Sequence, residues 1–338
     1  MGVYNEQGAA LEEPEPRHVM IKETKRGSPR RRRMATPLSP RRQHSRLPPK
    51  DVFDDMMFMV GGWTQDDPSC LVEQFCPEFN EWRTAARMVT KRGNVAVGTL
   101  DGMIYTVGGE DSIRCYSSVE RYNPDTDSWS TDVAPLSCPR SGVCLVVMDG
   151  YLYAIGGHDG IAAINTVERY DPKMNTWSKQ APMLARRTKA VAAVLEGNLY
   201  VIGGNDGDMA LNSVERYNPV DGTWSICAHM LSPRENAGCA VYLGHIYVVG
   251  GKDELNLVLC SAERFNPDTM RWTPVKRMRS KRDNMSLVVF NGALLAVGGS
   301  DGVTTLKTIE AYCHETNTWR HFGSMKSKHP GGRVAVLC

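Results

Sequence analysis

The chain has 338 residues, of which 41% are apolar and 23% charged, with a formal net charge of +2. These are the proportions of a soluble folded protein, and they exclude collagen-like, fully disordered and polycationic classes. No stretch approaches 18 consecutive apolar residues and the N-terminus lacks the apolar core of a secretory signal, so the expected location is cytosolic or nuclear.

The chain opens on its most biased segment. Residues 1–50 hold 12 Lys and Arg against 5 Asp and Glu, together with 7 of the 19 prolines. With few large apolar residues to offset the cost of ordering, residues 1–54 are expected to form a disordered, basic, proline-rich tail before a folded domain at 55–338. The run Arg30 to Arg33, with Arg41, Arg42 and Arg46, reads either as a nuclear-import signal or as a solvated linker. Ser28-Pro29, Thr36-Pro37 and Ser39-Pro40 lie in the same stretch, where phosphorylation would lower its charge.

Beyond the tail the sequence repeats. Gly-Gly pairs fall at 61, 108, 156, 203, 250 and 298, at intervals of 47 or 48. A Trp follows each at the same phase (Trp82, Trp129, Trp177, Trp224, Trp272, Trp319), and between them stand Glu73, Glu120, Glu168, Glu215, Glu263 and Glu310, each two residues before an aromatic. A repeat of this length signals stacked supersecondary units. In the third unit, residues 142–148 and 151–155 read as strands joined by the hairpin turn Asp149-Gly150. A longer loop follows, then a strand at 166–170, the turn 171–175 and a last strand led by Trp177.

Each unit is thus a four-stranded antiparallel meander, and a ring of such units leaves no long open edge. The expected fold is all-β, a six-bladed propeller with 24 strands. Residues 56–60 match a second strand and 333–337 a first strand, so the C-terminal strand should close the first blade as a ring latch.

The Gly-Gly pair, Glu-x-aromatic and Trp, in phase six times, resemble the Kelch repeat. The wording of the units, as in Val119-Glu120-Arg121-Tyr122-Asn123-Pro124-Asp125 and Ala181-Pro182-Met183, is most similar to the propellers of BTB-Kelch proteins. Cys313-His314 departs from the Asn-Pro or Asp-Pro of the third turn, and Cys76-Pro77-Glu78-Phe79 departs in the first unit. The resemblance implies a substrate-recognition role, capturing a protein for a cullin-RING ubiquitin ligase through a BTB domain that dimerises and contacts the cullin. No BTB segment lies in these 338 residues, so the expectation is a BTB-lacking form or a propeller that works alone.

What recurs in every blade serves the scaffold, and function should sit where the blades differ. Arg92, Arg140, Arg187, Arg234 and Arg282 recur in phase, with His329 in the sixth place. They read either as a basic ring at the channel mouth or, as expected, as partners of the repeated Glu in partly buried ion pairs. The variable face carries the second-to-third-strand loops and the connectors between blades, a loop surface on a rigid frame.

Two sets of positions open onto that face. The residue after each Gly-Gly is Trp63, Glu110, His158, Asn205, Lys252 or Ser300. The residue after each recurrent Arg or His is Gly93, Ser141, Thr188, Glu235, Asp283 or Pro330. The resemblance places peptide contacts at both sets. Trp63 is the leading single candidate, as a hot spot or else folded down onto the first blade. Charges of both signs leave the ligand's charge open.

No catalytic pattern is present. The eight histidines show neither HExxH nor a metal-binding pair, no phosphate-binding loop or nucleophile elbow occurs, and the ten cysteines contain no CxxC. The Asp-Gly steps at Asp159, Asp206 and Asp301 follow turn grammar. The expectation is a binding module rather than an enzyme, with no cofactor, no metal, no specific nucleic acid and no membrane partner. A cytoskeletal scaffold that binds actin through the blade edges is the alternative.

Overall fold

A computed structural model describes residues 55–64 and 67–338. The tail expected at 1–54 lies outside the described residues, apart from the boundary at Asp55. Six four-stranded antiparallel sheets carry the described fold, five of them with their strands in sequential order from innermost to outermost. The second blade, for example, runs Ala96–Leu100, Met103–Val107, Val119–Asn123 and Ser128–Ser130.

The first blade is assembled from both chain ends. Arg333–Leu337 is its innermost strand and pairs antiparallel with Met56–Val60, in a register running from Met56 opposite Leu337 to Val60 opposite Arg333. Val72–Cys76 and Glu81–Thr84 complete the sheet. The expected latch is therefore present. A short ribbon of Trp63–Thr64 against Asp67–Pro68, which the repeat does not predict, raises the strand count to 26 among the described residues.

Local chemistry explains the blades. At the Asp149-Gly150 turn both residues adopt positive φ, 52° and 77°, the backbone of a two-residue hairpin whose twist matches its strands. The second strand of every blade is buried on both faces, as in Tyr151–Ile155, because each sheet is packed between two others. The apolar clusters accordingly join neighbouring blades: Phe75 and Trp82 of the first pack with Phe290 and Leu295 of the sixth. In five of the six blades the recurrent Trp also donates its indole N–H to the connector from the preceding blade, Trp177 to the Ala134 carbonyl at 2.8 Å and Trp272 to that of Ala228 at 2.9 Å.

The recurrent arginines are scaffold. Arg92, Arg140, Arg187, Arg234 and Arg282 pair with Glu120, Glu168, Glu215, Glu263 and Glu310 at 2.7–3.0 Å, and every one of these side chains is at most 4% exposed. Each guanidinium also donates to the carbonyl of the first glycine of its Gly-Gly pair, Arg187 to Gly203 at 2.8 Å. The glycine itself answers to a different contact: Gly203 has a φ of 61°, and a Cβ on it would sit 2.4 Å from the Arg234 carbonyl oxygen of the next connector. Its partner Glu holds the connector, since Glu215 accepts the backbone N–H groups of Leu184 and Ala185 at 2.6 and 3.1 Å. In the latch blade His329 stands in for Arg, with Nδ1 3.0 Å from the Gly61 carbonyl and Nε2 3.2 Å from Glu73, the latter an ion-pair distance without good hydrogen-bond alignment.

Candidate functional site

The loop face is built by the connectors that cross it from each outermost strand to the next innermost one. Each buried Arg–Glu pair fixes a connector, and the residue after the Arg then meets the residue after the Gly-Gly of the same blade. Gly93 bridges Glu110, Ser141 bridges His158, Thr188 bridges Asn205, Glu235 bridges Lys252 and Asp283 bridges Ser300. In the first blade the Trp63 N–H donates to the Pro330 carbonyl at 2.7 Å. The structure thus brings the two predicted sets together as one backbone pair per blade.

The two sets differ in exposure. Ser141, Thr188, Glu235 and Asp283 are buried at 6–7% exposure, whereas Trp63, Glu110, His158, Asn205, Lys252 and Ser300 are half-buried and face the bowl. Three of the latter spend an acceptor on their own loop: His158 Nδ1, Asn205 Oδ1 and Ser300 Oγ each accept the N–H two residues on. The next residue, Asp159, Asp206 or Asp301, caps the tip with its carboxylate, and these backbone hydrogen bonds hold its carboxyl below the usual range.

Trp63 lies against the floor of the bowl. A Cβ on Gly93 would fall 2.0 Å from its Nε1, and one on Gly331 would fall 3.2 Å from its Cδ1. The indole therefore occupies the space that glycine leaves in the connectors on both sides of it, with part of its surface open.

The charges at the channel mouth are largely paired among themselves. Glu235 accepts from Asn205 Nδ2 at 2.6 Å and lies 3.4 Å from Lys189, Asp283 lies 3.2 Å from Lys252, and Glu110 accepts from Asn94 at 2.5 Å. Asp283 Oδ1 has no hydrogen-bond partner, and burial, opposed by Lys252, pushes its carboxyl above the usual range. Arg333 donates to Asn284 Oδ1 at 2.6 Å beside an axial cavity of about 150 Å³ that Cys144, Cys239 and Ser286 also line. Burial drives the Cys144 thiol up to about 12.

Sequence reasoning missed a second ring. The residues two after the recurrent Arg or His, Asn94, Gly142, Lys189, Asn236, Asn284 and Gly331, all have φ between 47° and 69°. They pass hydrogen bonds from blade to blade, Lys189 N to Gly142 O at 2.8 Å and Asn236 N to Lys189 O at 3.0 Å. Three Asn and two Gly at one phase of the repeat are the residue types that tolerate this conformation, a signal present in the sequence. No group of three His, Cys, Asp or Glu that could hold a metal ion occurs among the described residues.

Comparison with known proteins agrees with this architecture. The KLHDC2/KLHL20/DRC7 Kelch-repeats domain matches residues 134–299, and the Kelch motif matches residues 51–89, 91–131 and 281–326. Similar proteins include Kelch-like protein 36 of Bos taurus, 33% identical over 100 residues, which are 28% of this chain and 16% of that protein. Kelch-like protein 23 of Mus musculus is 33% identical over 79 residues, 23% of this chain and 13% of that protein. The chain thus matches only a small part of the length of these relatives. The solved structure titled "Structure of YjhT" superposes with a TM-score of 0.69 at 14% identity, over 78% of this chain and 97% of that one, a likeness of fold. Six repeats in phase, six four-stranded blades closed by a latch, and matches along nearly the whole ring establish that the chain belongs to the Kelch-repeat β-propellers and resembles the Kelch-like proteins.

Proposed function

We propose that this propeller recognises a peptide or protein surface in the bowl of its loop face, as the substrate-recognition part of a cullin-RING ubiquitin-ligase adaptor or a BTB-lacking form of one, without chemistry of its own. The observation that carries this reading is the bridge between the two residue sets. One backbone geometry, repeated around the ring, presents a different side chain from each blade: Trp63, Glu110, His158, Asn205, Lys252 and Ser300. A rigid frame with variable positions is the arrangement of a recognition surface. Work as such an adaptor would place the protein in the cytosol, with nuclear access through the basic tail.

The test is affinity capture with the full chain beside a Trp63→Ala, Asn205→Ala, Ser300→Ala variant of unchanged melting temperature. Partners lost only from the variant support recognition in the bowl. An identical partner set from both moves the function to the blade edges, where the actin-scaffold alternative would bind.

A further inference from the structure

The connectors are alike in backbone but not in charge. Those leading into and out of blade 6 carry Lys276, Arg277, Arg279, Lys281, Lys326 and Lys328, all exposed, and residues 275–281 and 323–328 contain no Asp or Glu. Across the ring, residues 131–139, 181–186 and 228–233 hold only Asp132 and Arg186 as charged groups. None of the six cations lies in an ion pair with a described carboxylate, and the Glu310 carboxylate beside Arg279 is taken by the buried Arg282.

The basic connectors are also held in place. Glu310 accepts the N–H groups of Arg279 and Ser280 at 2.8 and 3.1 Å, and Asn317 accepts that of Lys276 at 2.9 Å. On the other side Glu73 accepts from Ser327 Oγ at 2.6 Å, and the Met325 N–H donates to the Lys307 carbonyl at 2.7 Å. The backbone is committed to the scaffold while the long cationic side chains project from it.

We propose that the two connectors flanking blade 6 form a docking surface for an acidic, Asp- and Glu-rich protein segment that continues outward from the bowl. Six unpaired cations on a fixed backbone attract a polyanion, and a flexible acidic chain can follow two radial connectors that a stiff duplex would have to bridge. Nucleic acid fits less well. The connectors offer no helix or ribbon to enter a groove, and the aromatics beside them, Trp319 and Phe322, are buried and half-buried rather than open for stacking. The partner's class rests on the loop-face reading, but the surface lies outside the bowl residues.

The test is fluorescence anisotropy of a labelled decaglutamate peptide with the full chain, whose basic tail is common to every variant. Arg277→Ser, Arg279→Ser, Lys281→Ser, Lys326→Ser should weaken binding about tenfold at low salt, and the difference should fade once the screening length falls below about 10 Å. A control that removes four exposed cations elsewhere, Lys173→Ser, Lys179→Ser, Arg186→Ser, Arg271→Ser, should stay within about twofold of the parent, since unsteered surface charges contribute little. Equal losses in both variants would reduce the effect to net charge and overturn the proposal, as would no loss in the first. A 12-base-pair DNA duplex that binds more tightly than the peptide, with the same dependence on the four residues, would overturn the partner class. The bowl variant Trp63→Ala, Asn205→Ala, Ser300→Ala should keep peptide binding, so that failure of the bowl reading and failure of this one are separately visible.

Discussion

Removing the charge of Glu215 while keeping its shape tests the scaffold at a single point. In Glu215→Gln the carboxylate that accepts from Leu184 N, Ala185 N and both Nε and Nη2 of Arg187 becomes an amide with one acceptor oxygen. Arg187 is 1% exposed and keeps only its neutral acceptors at Gly203, Ser213 and the Ser213 hydroxyl. Breaking a buried pair from one side costs about 3–5 kcal/mol, because the surviving charge stays desolvated. For a domain of this size that is a fall in melting temperature of roughly 6–20 °C. Urea denaturation of Glu215→Gln, Arg187→Met and the double variant should show a coupling of about 1–3 kcal/mol between the two sites. Arg186→Ser, exposed and next in sequence, should stay within about 0.5 kcal/mol of the parent. Additive losses, or a Glu215→Gln cost below about 1 kcal/mol, would refute the claim that these pairs hold the connectors.

Other outcomes follow from individual sites. Burial raises the Glu73 carboxyl, but the His329 imidazole 3.2 Å away and the hydrogen bonds from Ser327 outweigh it and the net shift is downward. A depressed folded value means that Glu73 stabilises above its unfolded value near 4.5 and that this contribution is lost as pH falls further, so the melting temperature of Glu73→Gln should drop less steeply below pH 4.5 than that of the parent. Gly93→Ala should lift the Trp63 indole from its seat, read as a red shift and increased quenching of tryptophan emission relative to Trp63→Phe, Gly93→Ala. Cys313, whose thiol is drawn down by hydrogen bonds from Thr316, should be alkylated by iodoacetamide before Cys144 and Cys239, both driven up by burial; mass spectrometry of a time course gives the order.

The blade grammar was legible because it is local. Period, turn chemistry and strand alternation are properties of short stretches, and the latch followed from noticing that 56–60 and 333–337 are complementary fragments of one unit. The pairing of Arg with Glu was legible for the same reason, as two residues that recur together. What the repeat could not show is what happens between units. The seat of Trp63 depends on the absence of a Cβ at Gly93 and Gly331 in neighbouring connectors, and the ribbon at Trp63–Thr64 and Asp67–Pro68 breaks the template of the other blades. The burial of Glu235 and Asp283, against the half-exposure of Asn205 and Ser300, arises from the direction in which paired backbones turn their side chains. The cations around blade 6 were visible as letters, but their grouping required the path of the connectors.

Hydrogen–deuterium exchange of the full chain, free and with a partner captured by the bowl, tests the central claim most directly. Recognition on the loop face predicts slowed exchange at the backbone N–H groups around residues 110–115, 158–163, 205–210 and 300–305, the loops that carry the bridged positions, with no change in the outermost strands. Protection confined to the outermost strands, such as Thr176–Gln180 and Thr223–Cys227, with the loops unchanged, would contradict it.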